Sequence, residues 1–530
     1  MKRPLLDFEG GDDSDDDDYL DYDMPRKHHL KPNLLWESRN KQVNAKGSRP
    51  LSAVRVDFVV DKENPDKWRC MKPAVIPVSI IVIITSLVVI LPLVLSDDRN
   101  EDAAADELLA SSKPAVCTDQ CIFSLVESIP EGLVYNPGAP SYPSTYHTWM
   151  KLIQLANETI EISSFYWTLR GADTGSKDPS AYQGEDVFQA LLKAGTRRNL
   201  KVKIAQNQPT YTQRDYDTAI LNKTGAAEVR NLDFERFLGS GILHTKMWLI
   251  DRKHFYVGSA NSDWRSLTQV KELGAVVYNC SCYAEDMGKI FDVYWYMGQP
   301  NVTIPKTWPK TLKTVINSTN PLNIQFNGTS AKTYLSSSPP EFCPSGRTSD
   351  IASILQVIRS AKKFVYIAVM EYFPTIIYTS PKKYWSVIDD ALRTASLDNK
   401  VEVRLLISLW NHTNPIMIQY LKSLQDLNGA FGARISIRLF KVPAFTPEQA
   451  KIPYARVNHN KYMVTDSTAY IGTSNWSGDY FINTGGIGLI VNQTNSNSFQ
   501  INWRLQPTIP QQLKGIFLRD WNSQYSRPLS

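Results

Sequence analysis

His244-Thr245-Lys246 is followed by Asp251 and then by Gly258-Ser259-Ala260-Asn261. His459-Asn460-Lys461 is followed by Asp466 and then by Gly472-Thr473-Ser474-Asn475. Each stretch reads His-x-Lys-x4-Asp with a Gly-(Ser/Thr)-x-Asn turn behind it. One imidazole can attack phosphorus and form a phosphohistidine. The other can protonate the leaving oxygen and then activate water. Lys246, Lys461, Asn261 and Asn475, with Ser259 and Thr473 in support, can hold the charge that develops on phosphate. A single His-x-Lys on a strand is usually a solvated face; two copies with matching turns point to two halves of one phosphodiester-cleaving site. The arrangement requires no metal, and no His/Cys/Asp cluster has ligand spacing. No cofactor is therefore expected.

The side-chain period of a strand puts each His and its Lys on one face. Asp251 and Asp466 fall on the other face, where a turn begins. They read as structural turn residues rather than acids. Gly258 is expected to let the backbone approach a ligand. The two histidines are 215 residues apart, and the segments around them repeat. In the first half a helix over 150–156 precedes a strand over 160–167, a helix over 186–194 and a strand over 201–205. In the second, helices over 351–359 and 385–394 alternate with strands over 364–370 and 401–407. This order predicts a duplicated, two-lobed α/β sandwich with a mixed sheet in each half. The first lobe spans 116–300 and the second 346–530. Residues 301–345, rich in Pro, Asn, Ser and Thr, read as an interlobe linker or crossover.

The 73–96 run lacks charge and is about 24 residues long, enough for a bilayer core that takes roughly 20. Lys62, Lys67, Arg69 and Lys72 precede it; Asp97, Asp98, Glu101 and Asp102 follow. The positive-inside bias makes it a signal anchor, with 1–72 a disordered cytosolic tail. Residues 97–115 form a lumenal stalk. Two dileucine pairs in the tail, Leu5-Leu6 and Leu34-Leu35, lack the upstream acid of a sorting signal. Nine Asn-x-Ser/Thr sequons, at Asn157, Asn222, Asn279, Asn301, Asn317, Asn327, Asn411, Asn475 and Asn492, all follow the run. Asn475 lies inside the second motif and is expected to be too buried to carry sugar; the others are candidate glycosylation sites. Cys70 is juxtamembrane. Cys117 and Cys121 are expected to pair with Cys280 and Cys282, as befits an oxidising compartment. Pairing 117 with 282 and 121 with 280 suits antiparallel segments, though spacing alone leaves the connectivity open. Cys343 is left over. The net charge of +5 is too small to identify a partner.

Over about residues 115–525 these motifs resemble the phospholipase D superfamily. That resemblance implies one active site at the lobe interface, with His244 the nucleophile and His459 the general acid. It matches the family's His-orienting carboxylate to Glu272, in the run Trp264–Leu273, and places it behind His244. The equivalent place in the second half is Gly485-Gly486, so His459 lacks that support or takes it from elsewhere. The tail, the anchor, Asn279–Cys282 and Tyr454–Lys461 are similar to the animal transmembrane phospholipase D-like proteins of lysosomes. This implies a homodimeric type II membrane protein, in transit through the endoplasmic reticulum and Golgi, with release by proteolysis. The implied activity is 5′-to-3′ exonuclease action on single-stranded DNA and RNA at acidic pH. A phospholipase or transphosphatidylase acting on phospholipid is the alternative, and a non-enzymatic membrane glycoprotein the third. The chain departs from the subgroup in having no cysteine after Cys343. Tyr166, Trp167, Trp264, Trp410 and Trp476 lie near motif ends and could stack bases, although core packing is the commoner role.

Overall fold

The computed structural model describes residues 116–211, 213–494 and 507–530. The tail, the apolar run, the stalk, Cys70 and both dileucine pairs lie outside them. No helix among the described residues is long and apolar enough to cross a membrane.

The first half builds a seven-stranded sheet. Its order is Ile122–Ser128, Glu272–Tyr278, His254–Gly258, Met247–Ile250, Thr159–Ser164, Lys201–Asn207 and Glu228–Leu232. The last three run parallel and the others pair antiparallel, so the sheet is mixed as expected. The second half repeats this order with Gly486–Asn492, Thr468–Gly472, Lys461–Thr465, Phe364–Val369, Glu402–Ser408 and Arg434–Phe440. The central strands Met247–Ile250, His254–Gly258, Phe364–Val369, Lys461–Thr465 and Thr468–Gly472 are buried on both faces, whereas the outer strands Glu228–Leu232 and Arg434–Phe440 are partly exposed. Met247 and Leu249 point into a core shared by the two sheets, with Val257, Leu335, Ile471 and Leu489. Trp248 and Ile250 point the other way, onto Trp149, Leu152, Val187 and Leu191 of the covering helices. The helices and strands fall within a few residues of their expected places. The helix expected over 150–156 begins at Thr145, because Ser144 caps it by accepting the His147 amide. The strand expected over 160–167 stops at Ser164, and Trp167–Thr168 pairs instead with Ser262–Asp263.

The 301–345 stretch is more than a linker. Leu322–Phe326 and Thr329–Ser338 form a hairpin on the edge of the second sheet, the longer strand pairing with Gly486–Asn492. Asn327 and Gly328 turn it, both with positive φ (52° and 78°), the geometry that Asn-Gly supplies. Alternating burial along Leu-Asn-Ile-Gln-Phe was the signal, masked by the polar composition around it.

Buried ion pairs tie the halves together. Arg519 on the Ile509–Trp521 helix binds Glu127 of the first sheet at 2.7 Å, and Arg347 binds Asp286 at 2.6 Å. Removing one partner would strand a buried charge, at a cost of about 3–5 kcal/mol. Cys117–Cys282 and Cys121–Cys280 are the disulfides, in the antiparallel-compatible pairing. The fold gathers these four sulfurs within 4.8 Å of one another, a cluster invisible in the spacing, and both bonds consume them. Cys343 is free, its thiol pushed up to about 11 by burial. Asn157, Asn222, Asn279, Asn301, Asn327, Asn411 and Asn492 are exposed, Asn317 is half-buried, and Asn475 is buried.

Candidate active site

Each motif histidine is anchored to the opposite half. The His244 amide donates to the Gly485 carbonyl (2.8 Å), and the Gly485 amide returns a bond to Ile242 (2.8 Å). The His459 amide donates to the Lys271 carbonyl (2.8 Å), and the Lys271 amide returns one to Val457 (2.9 Å). Both histidine segments therefore run as short parallel bridges against the start of the other half's strand. The Asn207 side chain accepts the Leu243 amide, and the Ser408 hydroxyl accepts the Asn458 amide, again in equivalent places. This exchange is what makes one site from two motifs. His244, Lys246, His459 and Lys461 are all buried.

The two lysines behave alike. Lys246 Nζ donates to the His244 carbonyl at 2.8 Å and Lys461 Nζ to the His459 carbonyl at 3.0 Å. The turn residues do so as well. The Ser259 hydroxyl accepts the Leu273 amide (2.9 Å), and the Thr473 hydroxyl accepts the Ile487 amide (3.0 Å). These hydroxyls thus lock the strand starts beside the histidines. Asp251 accepts the amides of Asn157, Glu158 and Thr159 at 2.7–2.9 Å, and Asp466 those of Lys362 and Lys363 at 2.9 Å. Both tie the hairpin to the entry of the strand beside it, Thr159–Ser164 or Phe364–Val369. Gly258 has a different purpose from the one expected. A Cβ there would lie 2.5 Å from Gly274 Cα and 2.7 Å from the Tyr256 hydroxyl. The glycine permits close strand packing over a tyrosine, not ligand approach; Gly472 meets Tyr470 in the same way.

Glu272 does not support His244. Its two carboxylate oxygens lie 3.1 and 3.0 Å from Nδ1 of His459. The reason is the exchange just described: Lys271 pairs with the His459 segment, so its neighbour reaches the other half's imidazole. A carboxylate accepts only, so Nδ1 carries the proton. Gly486 stands where Glu272 would be repeated. A Cβ there would come within 2.3 Å of the Ser474 hydroxyl and 2.8 Å of the Ser338 hydroxyl, leaving no room for a carboxylate. His244 instead sits between the Phe165 and Tyr480 rings, at 5.4 and 5.1 Å.

Further residues hold this arrangement. Lys271 pairs with Asp520 at 2.8 Å, both fully buried. Burial alone would push the Asp520 carboxyl up, but Lys271 and Arg519 hold it below the usual carboxylate range. The C-terminal helix thereby fixes the residue next to Glu272. Asn261 Nδ2 donates to the Tyr166 hydroxyl (3.4 Å), and Asn475 Nδ2 to Glu371 (3.1 Å) and the Tyr480 hydroxyl (3.2 Å). Glu371, Tyr480, Lys271 and Asp520 carry no motif, and the sequence reading missed them. Trp167, Trp264 and Trp476 are fully buried and serve the core. Tyr166 is buried with its hydroxyl on Asp263, and Trp410 is half-buried.

Comparison with known proteins gives the family of the chain. The family described as "PLD3/4, PLD-like domain" matches residues 137–445, which hold the first motif and end before the second. The chain is 51% identical over 417 residues to the "5'-3' exonuclease PLD3" of Xenopus tropicalis, covering 78% of this chain and 82% of that one. It is 48% identical over 420 residues to the Homo sapiens protein of the same name, covering 79% and 83%. It is 45% identical over 418 residues to the "5'-3' exonuclease PLD4" of Mus musculus, covering 78% and 80%. A matched family and relatives of this identity over most of both chains carry one conclusion: this chain belongs to the PLD3/4 group of the phospholipase D-like family.

Proposed function

We propose that the protein is a 5′-to-3′ exonuclease hydrolysing phosphodiester bonds of single-stranded DNA and RNA through a phosphohistidine on His244. The observation that carries the chemistry is the meeting of two His/Lys/Asn sets at one interface, with Glu272 on His459 and Gly486 in the equivalent place. A carboxylate on Nδ1 stabilises imidazolium, so His459 is the proton donor and His244 the neutral nucleophile. His244 attacks phosphorus and the bond to the downstream 5′-oxygen breaks. His459 gives that oxygen its proton. Water then attacks the phosphohistidine, gives its proton to His459, and a nucleoside 3′-phosphate leaves. Lys246, Lys461, Asn261 and Asn475 hold the charge on the equatorial oxygens. The choice of nucleic acid as substrate is supported by the names of the relatives.

The protein acts as a type II single-pass glycoprotein, anchored by residues 73–96, in the lumen of an acidic compartment such as the lysosome, and as a homodimer. Two disulfides and exposed sequons support the lumenal side. The test offers full-length protein in detergent a 5′-hydroxyl oligonucleotide, a circular single strand and phospholipid vesicles at pH 5. Stepwise loss of nucleotides from the linear strand alone is expected. Equal cleavage of circular and linear DNA would remove the exonuclease reading, and turnover of lipid alone would move the activity to the phospholipase class.

A further inference from the structure

Asn261 and Asn475 hold equivalent places, yet the two halves give them different neighbours. Tyr166 and Glu371 are each the second residue past equivalent strands, Thr159–Ser164 and Phe364–Val369. Asn261 meets the neutral phenol of Tyr166, whose hydroxyl donates to Asp263 at 2.8 Å. Asp263 is in turn paired with Arg265 at 2.6 Å. Asn475 meets the Glu371 carboxylate at 3.1 Å. Glu371 is firmly placed. Its carbonyl accepts the Trp476 amide (3.0 Å), and the amide of Met370 beside it donates to the Asn460 carbonyl (3.1 Å). The duplicated phosphate cradle thus carries a carboxylate on one flank where its counterpart carries a phenol. That carboxylate accepts from the amide group a bound phosphate oxygen would use, so it lies next to the scissile phosphate. Like charges at that range in a half-buried site disfavour one another strongly.

We propose that Glu371 closes one side of the site to a continuing phosphodiester chain. A second phosphate on that flank is repelled, whereas a terminal hydroxyl donates a hydrogen bond to the carboxylate. The scissile phosphate is then the first from the chain end, and the strand runs out past the Tyr166 flank. This rests on the exonuclease reading and assigns its end-selection to one residue.

The test measures kcat/KM of full-length protein on two single-stranded oligonucleotides that differ only in a 5′-hydroxyl or a 5′-phosphate. Wild type is expected to favour the hydroxyl. Glu371→Gln, of equal shape but neutral, should lower the hydroxyl-to-phosphate ratio tenfold or more, chiefly by improving the phosphorylated strand. Glu371→Asn, shorter and also neutral, should move the ratio the same way, and Glu371→Asp should keep it. Equal losses on both strands in the neutral variants would reduce Glu371 to a positioning residue for Asn475 and overturn the proposal. Wild-type protein that leaves the 5′-hydroxyl strand intact would instead remove the exonuclease reading, and this proposal with it.

Discussion

Replacing Glu272 by Gln tests the assignment of the two histidines more sharply than removing either imidazole. Both Glu272 oxygens lie within 3.1 Å of His459 Nδ1, and both residues are buried. A hydrogen bond to a charged partner contributes about 1.5–3 kcal/mol, against about 0.5–1.5 kcal/mol for a neutral one, so the carboxylate charge is worth about 1–2 kcal/mol. The amide of Gln keeps a hydrogen bond and loses the charge, which disfavours the imidazolium form of His459. His459 must be protonated to supply the leaving oxygen. The alkaline limb of the kcat/KM profile on a 5′-hydroxyl oligonucleotide should therefore move to lower pH. At the pH of the wild-type limb the rate should fall by about tenfold. If His459 were the nucleophile, the same substitution would free its lone pair at lower pH and move the acidic limb instead. A shifted acidic limb would reverse the roles, and two unmoved limbs would deny that Glu272 acts electrostatically.

The remaining predictions need less working. His244→Ala and His459→Ala should each abolish turnover, and an alkali-stable, acid-labile adduct of labelled substrate should be absent from the His244 variant; residual turnover by either would sink the two-histidine reaction. Asp251→Ala forfeits three amide partners and should lower stability by about 2–3 kcal/mol in urea titration while kcat per folded molecule changes little. A large loss of kcat at unchanged stability would make Asp251 catalytic after all. Asp215, buried and near the charges of Asp217 and Asp173, is pushed up from 3.8 to about 8, chiefly by burial. The folded state thus keeps a proton that the unfolded chain loses above pH 4. Its stability should fall as pH rises from about 4 to about 8, by up to about 1.4 kcal/mol per pH unit. Melting temperatures of Asp215→Asn should show a shallower decline across that range and match wild type near pH 4; parallel curves would contradict the shift.

The chemistry was legible in the sequence because it is local. His, Lys and Asp recur at fixed offsets, with Asn one residue nearer in the second copy, although the strands begin only at Met247 and Lys461. Asp251 and Asp466 were readable as turn residues for the same reason, but the backbone amides they bind lie far away in sequence, at Thr159 and Lys363. What failed to show was anything decided by which half a strand pairs with. Glu272 follows the first motif by a short distance, so sequence reading gives it to His244. The Lys271–Val457 and His459–Lys271 backbone bonds give it to His459. Glu371 and Asp520 were invisible because they meet the site through register and a distant helix. The hairpin within 301–345 was hidden by composition, although Asn327-Gly328 announced its turn.

Duplication by itself produces a symmetric cradle, and a symmetric cradle has no reason to cut in one direction. The backbone bonds, the lysines and the Ser259/Thr473 locks are matched across the halves. Two mismatches stand beside the histidines and their asparagines: Glu272 against Gly486, and Tyr166 against Glu371. On the proposed roles, the first gives the proton to one imidazole and so orders attack and departure, and the second puts a negative charge on one flank and so orders the chain. If both readings hold, Glu272→Gln should change the pH profile without changing end preference, and Glu371→Gln should change end preference without moving the alkaline limb. A variant that moved both quantities together would mean that the two mismatches act as one electrostatic unit, and the separation of catalysis from strand polarity would have to be abandoned.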